Sequence, residues 1–160
     1  AELNGPVYLR FGRPKVPNFS VGIPFEIGKG IVLQYGNDVS LVATGHLVWE
    51  ALEAAKELNI LGISTEVINI HTIKPLDKKL ILKSVMKTGA LVSCEEHNYL
   101  GGLGESIARV LSENYPAPQE FVATQDTFGE SGTPSELMEK YGLNKDSIVK
   151  KTLKLIKRKT

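Results

Sequence analysis

From residue 27 onward, short apolar runs alternate with stretches whose apolar residues recur every three or four positions, a strand-then-helix pattern. Residues 31–35 and 39–44 are apolar runs of strand length, separated by Gly36-Asn37-Asp38, a turn sequence that tolerates positive φ. A turn this short is expected to join antiparallel neighbours, so the first strand should run against the second. Val48, Leu52, Ala55 and Leu58 then repeat at helical spacing, predicting a helix over residues 46–58 in a unit that Gly62 closes. Residues 65–70 read as a strand, 77–87 as a helix with Asp77 as its N-cap, and 90–95 as a strand. Residues 102–113 predict a helix with Leu103, Ile107, Val110 and Leu111 on one face, and 121–124 a final strand. Thr133-Pro134-Ser135-Glu136 combines a capping box with proline at the first helical position, a specific helix start. A last helix is expected near residues 146–157, with Val149, Leu153 and Ile156 facing inward. Strands alternating with helices imply parallel crossovers and a sheet covered on both faces. The expected fold is therefore α/β: three layers, α/β/α, around a mixed, mostly parallel five-stranded sheet whose first strand is antiparallel.

The first 26 residues break this rhythm. Residues 6–12 (PVYLRFG) are rich in β-branched and aromatic side chains and read as a strand. Pro14, Pro17, Gly22 and Pro24 then interrupt an aperiodic stretch, the composition of a linker. Residues 1–26 are accordingly expected to be the tail of a preceding domain and its linker, with the α/β domain over 27–160. A chain that enters a strand almost at once is expected to be part of something larger, either a fragment or a subunit.

Composition narrows the partners. The chain has 160 residues, 42% hydrophobic and 23% charged, with a net charge of +1. Such a balance provides no global field for nucleic acid or membrane surfaces. Its apolar runs are too short to span a bilayer. The single cysteine, Cys94, cannot form an internal disulfide, which suits a reducing cytoplasm.

Candidate chemistry gathers between residues 94 and 104. Cys94-Glu95-Glu96-His97 contains metal-ligand residue types, but alternation along a strand sends Cys94 and Glu96 to one face and Glu95 and His97 to the other. Cys94 is thus read as a small core residue. Glu95, Glu96 and His97 lie at the carboxyl end of a strand, where open α/β sheets place their crevices. Gly101-Gly102-Leu103-Gly104 opens a helix, a place where anions bind, although the glycine spacing departs from a dinucleotide fingerprint. A tight turn and close packing of helix on sheet is the preferred reading of this cluster. His46 and His71 stand at strand ends without a patterned nucleophile or carboxylate, and the basic tail (Lys145, Lys150, Lys151, Lys154, Lys157, Arg158 and Lys159) suits the solvent face of a helix. Arg10 and Arg13 remain; a guanidinium just past a strand, as at Arg13, is suited to fork onto a phosphate.

Four blocks together resemble transketolase. Residues 5–14 (GPVYLRFGRP) are similar to the end of its pyrimidine-binding domain. Residues 72–77 (TIKPLD), 95–105 (EEHNYLGGLGE) and 129–142 (GESGTPSELMEKYG) resemble successive parts of its carboxy-terminal domain. The similarity covers nearly the whole chain in the right order. The resemblance implies the carboxy-terminal part of a thiamine-diphosphate enzyme that moves a two-carbon ketol unit between sugar phosphates. It further implies thiamine diphosphate and Mg2+ in the complete, homodimeric enzyme, with neither bound by this chain, since the family's Gly-Asp-Gly motif and catalytic glutamate are absent from it. Carried over by position, Arg13 matches the arginine that grips the substrate phosphate. The chain would then serve subunit packing beside its other half, be inactive alone, and engage neither nucleic acid nor membrane. The rival readings are the equivalent domain of deoxyxylulose-phosphate synthase or of a 2-oxoacid dehydrogenase β-subunit, and a non-catalytic dimerisation or effector-binding module using the glycine cluster as an anion pocket.

Overall fold

The computed structural model describes residues 3–12 and 15–159. Its ordered body is a five-stranded sheet with helices on both faces. In chain order the elements are β1 (Ile31–Gln34), β2 (Val39–Ala43), α1 (Leu47–Ile60), β3 (Thr65–Asn69), α2 (Lys78–Thr88), β4 (Leu91–Asn98), α3 (Leu103–Asn114), β5 (Gln119–Thr124), α4 (Pro134–Lys140) and α5 (Lys145–Ile156). The spatial order is β1-β3-β2-β4-β5, parallel throughout except for β1, which is antiparallel to β3. The three-layer α/β/α architecture and its antiparallel first strand follow the hydrophobic pattern.

The neighbour of β1 does not. The short turn after β1 suggested pairing with β2, but β3 lies between them. The connection steps across the start of β3: a Cβ at Gly36 would lie 2.1 Å from the Thr65 carbonyl carbon, so only glycine passes. The crossing is held by Asn37 and Asp38 amides donating to the Ser64 carbonyl, and by the Ser64 amide donating to the Asp38 carboxylate at 2.7 Å.

Strand alternation divides the core in two. Val39, Leu41 and Ala43 of β2, with Val67, Val92 and Cys94, pack beneath α1 and α5; Leu58, Ile148 and Leu155 come from those helices. Val42, Ile68 and Leu91 face α2 and α3, which contribute Ile81, Val85, Leu103 and Ile107. On α5 the inward row is Ile148, Val149, Thr152 and Leu155, whereas Leu153 is exposed. Val149 and Ile156 pack against this core as the spacing predicts; Leu153 does not, because the buried Thr152 beside it replaces an apolar residue in the inward row. Thr152 satisfies its hydroxyl on the Ile148 carbonyl one turn back.

Local start and stop signals behave as their chemistry requires. Asp77 accepts the Leu80 amide at 3.1 Å as the cap of α2, and Gly89 ends that helix in the left-handed region at φ 72°. Thr133 and Glu136 form the complete capping box of α4, behind Pro134. Residues 6–12, read as a strand, have no partner strand here and form none. Val7, Tyr8, Leu9 and Phe11 are largely exposed, Tyr8 by 87%. Among the described residues, no helix is long and apolar enough to cross a membrane.

Candidate functional site at the carboxyl edge of the sheet

The carboxyl end of β4 is one of two places where the ladder shifts register, the other lying between Val32 and Gln34 of β1. Cys94 pairs with Val122 of β5, and the next pair is Asn98 with Thr124, so residues 95–97 oppose Ala123 alone. Such a bulge re-aims side chains that plain alternation would fix.

Where it begins stands an internal cap, on the α3 face that alternation already gives Glu95 opposite Cys94. Glu95 is buried and its carboxylate turns back to the start of α3. Oε2 accepts the Leu103 amide at 2.6 Å and Oε1 the Gly104 amide at 2.8 Å. The N-cap of α3 is Gly102, which has no side chain to cap with, so the Glu95 carboxylate, eight residues before Leu103, supplies the acceptor and meets the positive end of the helix dipole. The glycines make room for it. A Cβ on Gly102 would lie 2.1 Å from Glu95 Oε2, and one on Gly104 would lie 2.5 Å from Phe121 Cδ1. The Gly101 amide is taken as well, by Glu105 Oε2 at 2.7 Å. The tight-turn reading of the cluster is the one its geometry supports, because the amides an anion would need are already donated to carboxylates.

Thiamine diphosphate with magnesium does not fit these residues. The helix start that could face a diphosphate is closed by Glu95, and among the described residues no group of three or more His, Cys, Asp or Glu side chains is placed to hold a metal ion. Cys94 packs in the core; burial, and secondly the neighbouring Glu95 charge, push its thiol far above the ordinary range, so it carries no nucleophilic thiolate.

Within the bulge the Glu96 and His97 side chains are exposed. His97 Nδ1 lies 2.8 Å from the Asn98 carbonyl. Asn98 ties two loops together: its amide donates to Asp126 at 2.8 Å, and its carbonyl oxygen accepts the Leu100 amide. Beyond Asp126 the loop is braced by Tyr141, whose hydroxyl accepts the Glu130 amide and donates to the Phe128 carbonyl. Phe128, at 99% exposure, is held out into solvent at the loop's tip. From the opening segment, both Nη atoms of Arg10 donate to the Glu96 carbonyl at 3.5 Å. Arg13 lies outside the described residues.

The other singled-out residues have structural surroundings. His71 stacks on Phe25 with ring centroids 4.5 Å apart, and its Nδ1 meets the Thr72 hydroxyl. Burial holds its imidazole below the ordinary range, in keeping with an unpartnered, enclosed Nε2. His46 sits at the N-cap position of α1 and caps nothing with its side chain. In the basic tail, Lys151, Lys154 and Arg158 surround Glu120 of β5, at 3.3, 2.9 and 2.6 Å. Burial pushes the Glu120 carboxyl upward, but hydrogen bonds from Lys154 and Lys151 outweigh it and hold the group below its ordinary value. Sequence reasoning missed the cap formed by Glu95. A signal was there: a carboxylate closing a strand, followed by a helix start made of glycines with no capping side chain of its own.

The family described as "Transketolase, C-terminal domain" matches residues 28–148. A 6-deoxy-6-sulfo-D-fructose transketolase subunit, SqwH, from Clostridium sp. (strain MSTE9) is 45% identical over 157 residues, covering 98% of this chain and 49% of that protein. A putative transketolase C-terminal section from Methanocaldococcus jannaschii is 38% identical, covering 99% of this chain and 50% of its own length. A solved structure described as a split gene transketolase, inactive beta4 tetramer, superposes with a TM-score of 0.89 at 46% identity, covering 92% of this chain and 49% of that one. The chain thus spans about half the length of the curated relatives it matches.

Proposed function

Because the chain belongs to the transketolase C-terminal domain family, we propose that it is the carboxy-terminal part of a thiamine-diphosphate-dependent transketolase. In this reading it scaffolds the transfer of a two-carbon ketol unit between sugar phosphates and is inactive by itself. The observation that carries the reading is coverage: relatives that name transketolase match this chain from end to end, and each extends to about twice its length. Thiamine diphosphate and Mg2+ belong, on this proposal, to the half not contained here, and the enzyme works as a cytoplasmic dimer of the complete assembly. When bound, the cofactor supplies the electron sink for cleaving the ketose.

This chain's own contributions are two. Residues 1–26 belong to the preceding pyrimidine-binding domain and its linker, which accounts for a β-rich segment whose apolar side chains Val7, Tyr8, Leu9 and Phe11 find no cover in this chain. A strand of that composition is stable only beside another strand. Arg13 then takes the phosphate of the substrate, a planar fork matched to a dianion.

Calorimetric titration of thiamine diphosphate with Mg2+ into the isolated chain is expected to give no saturable heat, and micromolar binding would sink the placement of the cofactor. Mixed with its thiamine-binding half, the chain should confer ketol transfer. Arg13→Ala should then raise KM for phosphorylated ketoses about tenfold or more, the scale of one charge-assisted phosphate contact. An unchanged KM refutes the role given to Arg13.

A further inference from the structure

Residues 20–27 cross the body as a strap fastened at its two ends. At one end Phe19 is half-buried against the core beneath α1 and α5. At the other, a Cβ on Gly28 would lie 3.0 Å from Pro75 Cγ, and the Gly30 amide donates to Asp77 Oδ2 at 3.0 Å. Between these anchors every residue is exposed. The strap's hydrogen bonds are local ones, such as the Ile23 amide to the Ser20 carbonyl and the Lys29 amide to the Glu26 carbonyl; among the described residues, none from 20–27 reaches the body. What does reach it is the Phe25 ring, tilted by 37° over the His71 imidazole at 4.5 Å between centroids.

His71 lies just past the carboxyl end of β3, with surroundings suited to a neutral ring. Nδ1 meets the Thr72 hydroxyl at 3.0 Å, while Nε2 is enclosed and has no partner among the described residues. An imidazolium donates from both nitrogens, so its second N–H would be cut off from water with nothing to receive it. The charged and titratable groups nearby in the chain or sheet are Glu26 and Lys29 beside the strap, Lys74 and Asp77 on the loop after His71, and His46 after the neighbouring β2. Asp77 is committed to the Gly30 and Leu80 amides, and among the described residues none of the five bonds to the imidazole. Burial therefore decides the proton, and it disfavours the cation. Of the groups around the ring, Phe25 is the one displaced with least loss: it is already 68% exposed, whereas the adjoining Ile70 is buried.

We propose that Phe25 and His71 form a pH-sensitive latch: the neutral imidazole keeps the strap closed, and its protonation lifts Phe25 and frees residues 20–27 between Phe19 and Gly28. Once the strap is lifted, water reaches the ring, whose affinity for a proton returns to the ordinary 6.5. Acidification below that value favours the open strap, and the bias is complete when pH has fallen through the lower value of the closed form. The bond from Gly30 to Asp77 keeps the release from running on into β1.

The test is an NMR titration of the full chain between about pH 8 and 5, the range in which histidine changes charge. The His71 Cε1–H resonance should titrate below 6.5, and the Phe25 ring resonances should follow with the same midpoint. Backbone order parameters of residues 22–26 should drop with them, from about 0.85 to about 0.6 or lower, while those of β1 stay unchanged. His71→Gln, which cannot take up the charge, should remove the pH dependence from Phe25 and the strap. Phe25→Ala should move the His71 midpoint upward toward 6.5 by admitting water. A strap that still opens with acid in His71→Gln assigns the proton to another group and overturns the latch, as does an unmoved His71 midpoint in Phe25→Ala. The parent chain decides the matter even where a variant fails to fold: midpoints that coincide for His71, Phe25 and residues 22–26 support the latch, and midpoints that separate, or a strap indifferent to pH, overturn it.

Discussion

Two regions of this chain are equally apolar to the eye and physically opposite. Residues 91–95 (LVSCE) lie in the middle of the sheet and are buried throughout, with even the carboxylate of Glu95 paired to two amides. Residues 7–11 (VYLRF) have as strong a strand composition, yet they are exposed and unpaired. The difference is not in local propensity. A strand becomes one when backbone donors on both sides find partners, and β4 has β2 and β5 while, among the described residues, the opening segment meets the body through the Arg10 side chain. The comparison teaches that apolar surface here divides into what this chain covers by itself and what it leaves exposed.

That contrast can be broken most directly at Glu95. Glu95→Ala strands two buried amides and removes a charged cap, so urea unfolding should show a loss of about 3 kcal/mol. A cost below about 1 kcal/mol would mean that water replaces the carboxylate and that the region is less closed than its geometry indicates. A smaller effect is expected at Glu120. Its folded-state pKa is held below the ordinary 4.5, so its stabilisation is complete above that value and is lost as pH falls through the folded one. Glu120→Gln should therefore cost about 1 kcal/mol at neutral pH, a modest figure because its cationic partners are themselves largely exposed, and the difference from the parent protein should shrink in thermal melts taken progressively below pH 4.5. The smallest change belongs to the opening segment: Phe11→Ser should alter the stability of the isolated chain by less than about 0.5 kcal/mol. It should nevertheless weaken association with the other half, measured by sedimentation of the mixture. A large loss of intrinsic stability would show that the segment is covered by this chain after all.

What the sequence disclosed, and what it hid, follows the same division between local and distant causes. Asp77, Gly89 and the Thr133–Glu136 box act within one turn of helix, so their roles could be read from a few adjacent letters. The periodicity that separates the two core faces is equally local, and the α/β/α layering was legible from it. The neighbour of β1 was not, because it depends on Gly36 crossing a strand that begins nearly thirty residues later. The inward row of α5 was misjudged where the buried Thr152 interrupts the apolar stripe. At the candidate site, alternation gave Glu95 its face, opposite Cys94 and toward α3, but not its partners, the amides of a helix start eight and nine residues further on. Arg13 was singled out by resemblance and lies outside the described residues, whereas Arg10, for which sequence gave no role, is the one whose surroundings can be described.

The step that Gly36 makes over the start of β3 also imposes an order in time. The outermost strand cannot settle until the strand between it and β2 has been laid down, since among the described residues its ladder is with β3 alone. Amides of residues 31–34 should accordingly be the last in the sheet to gain protection in pulse-labelled refolding, and protection there before that of residues 65–69 would contradict it. The residues before β1 lead directly into this late strand, so their attachment to the sheet is fastened only when the body is otherwise complete.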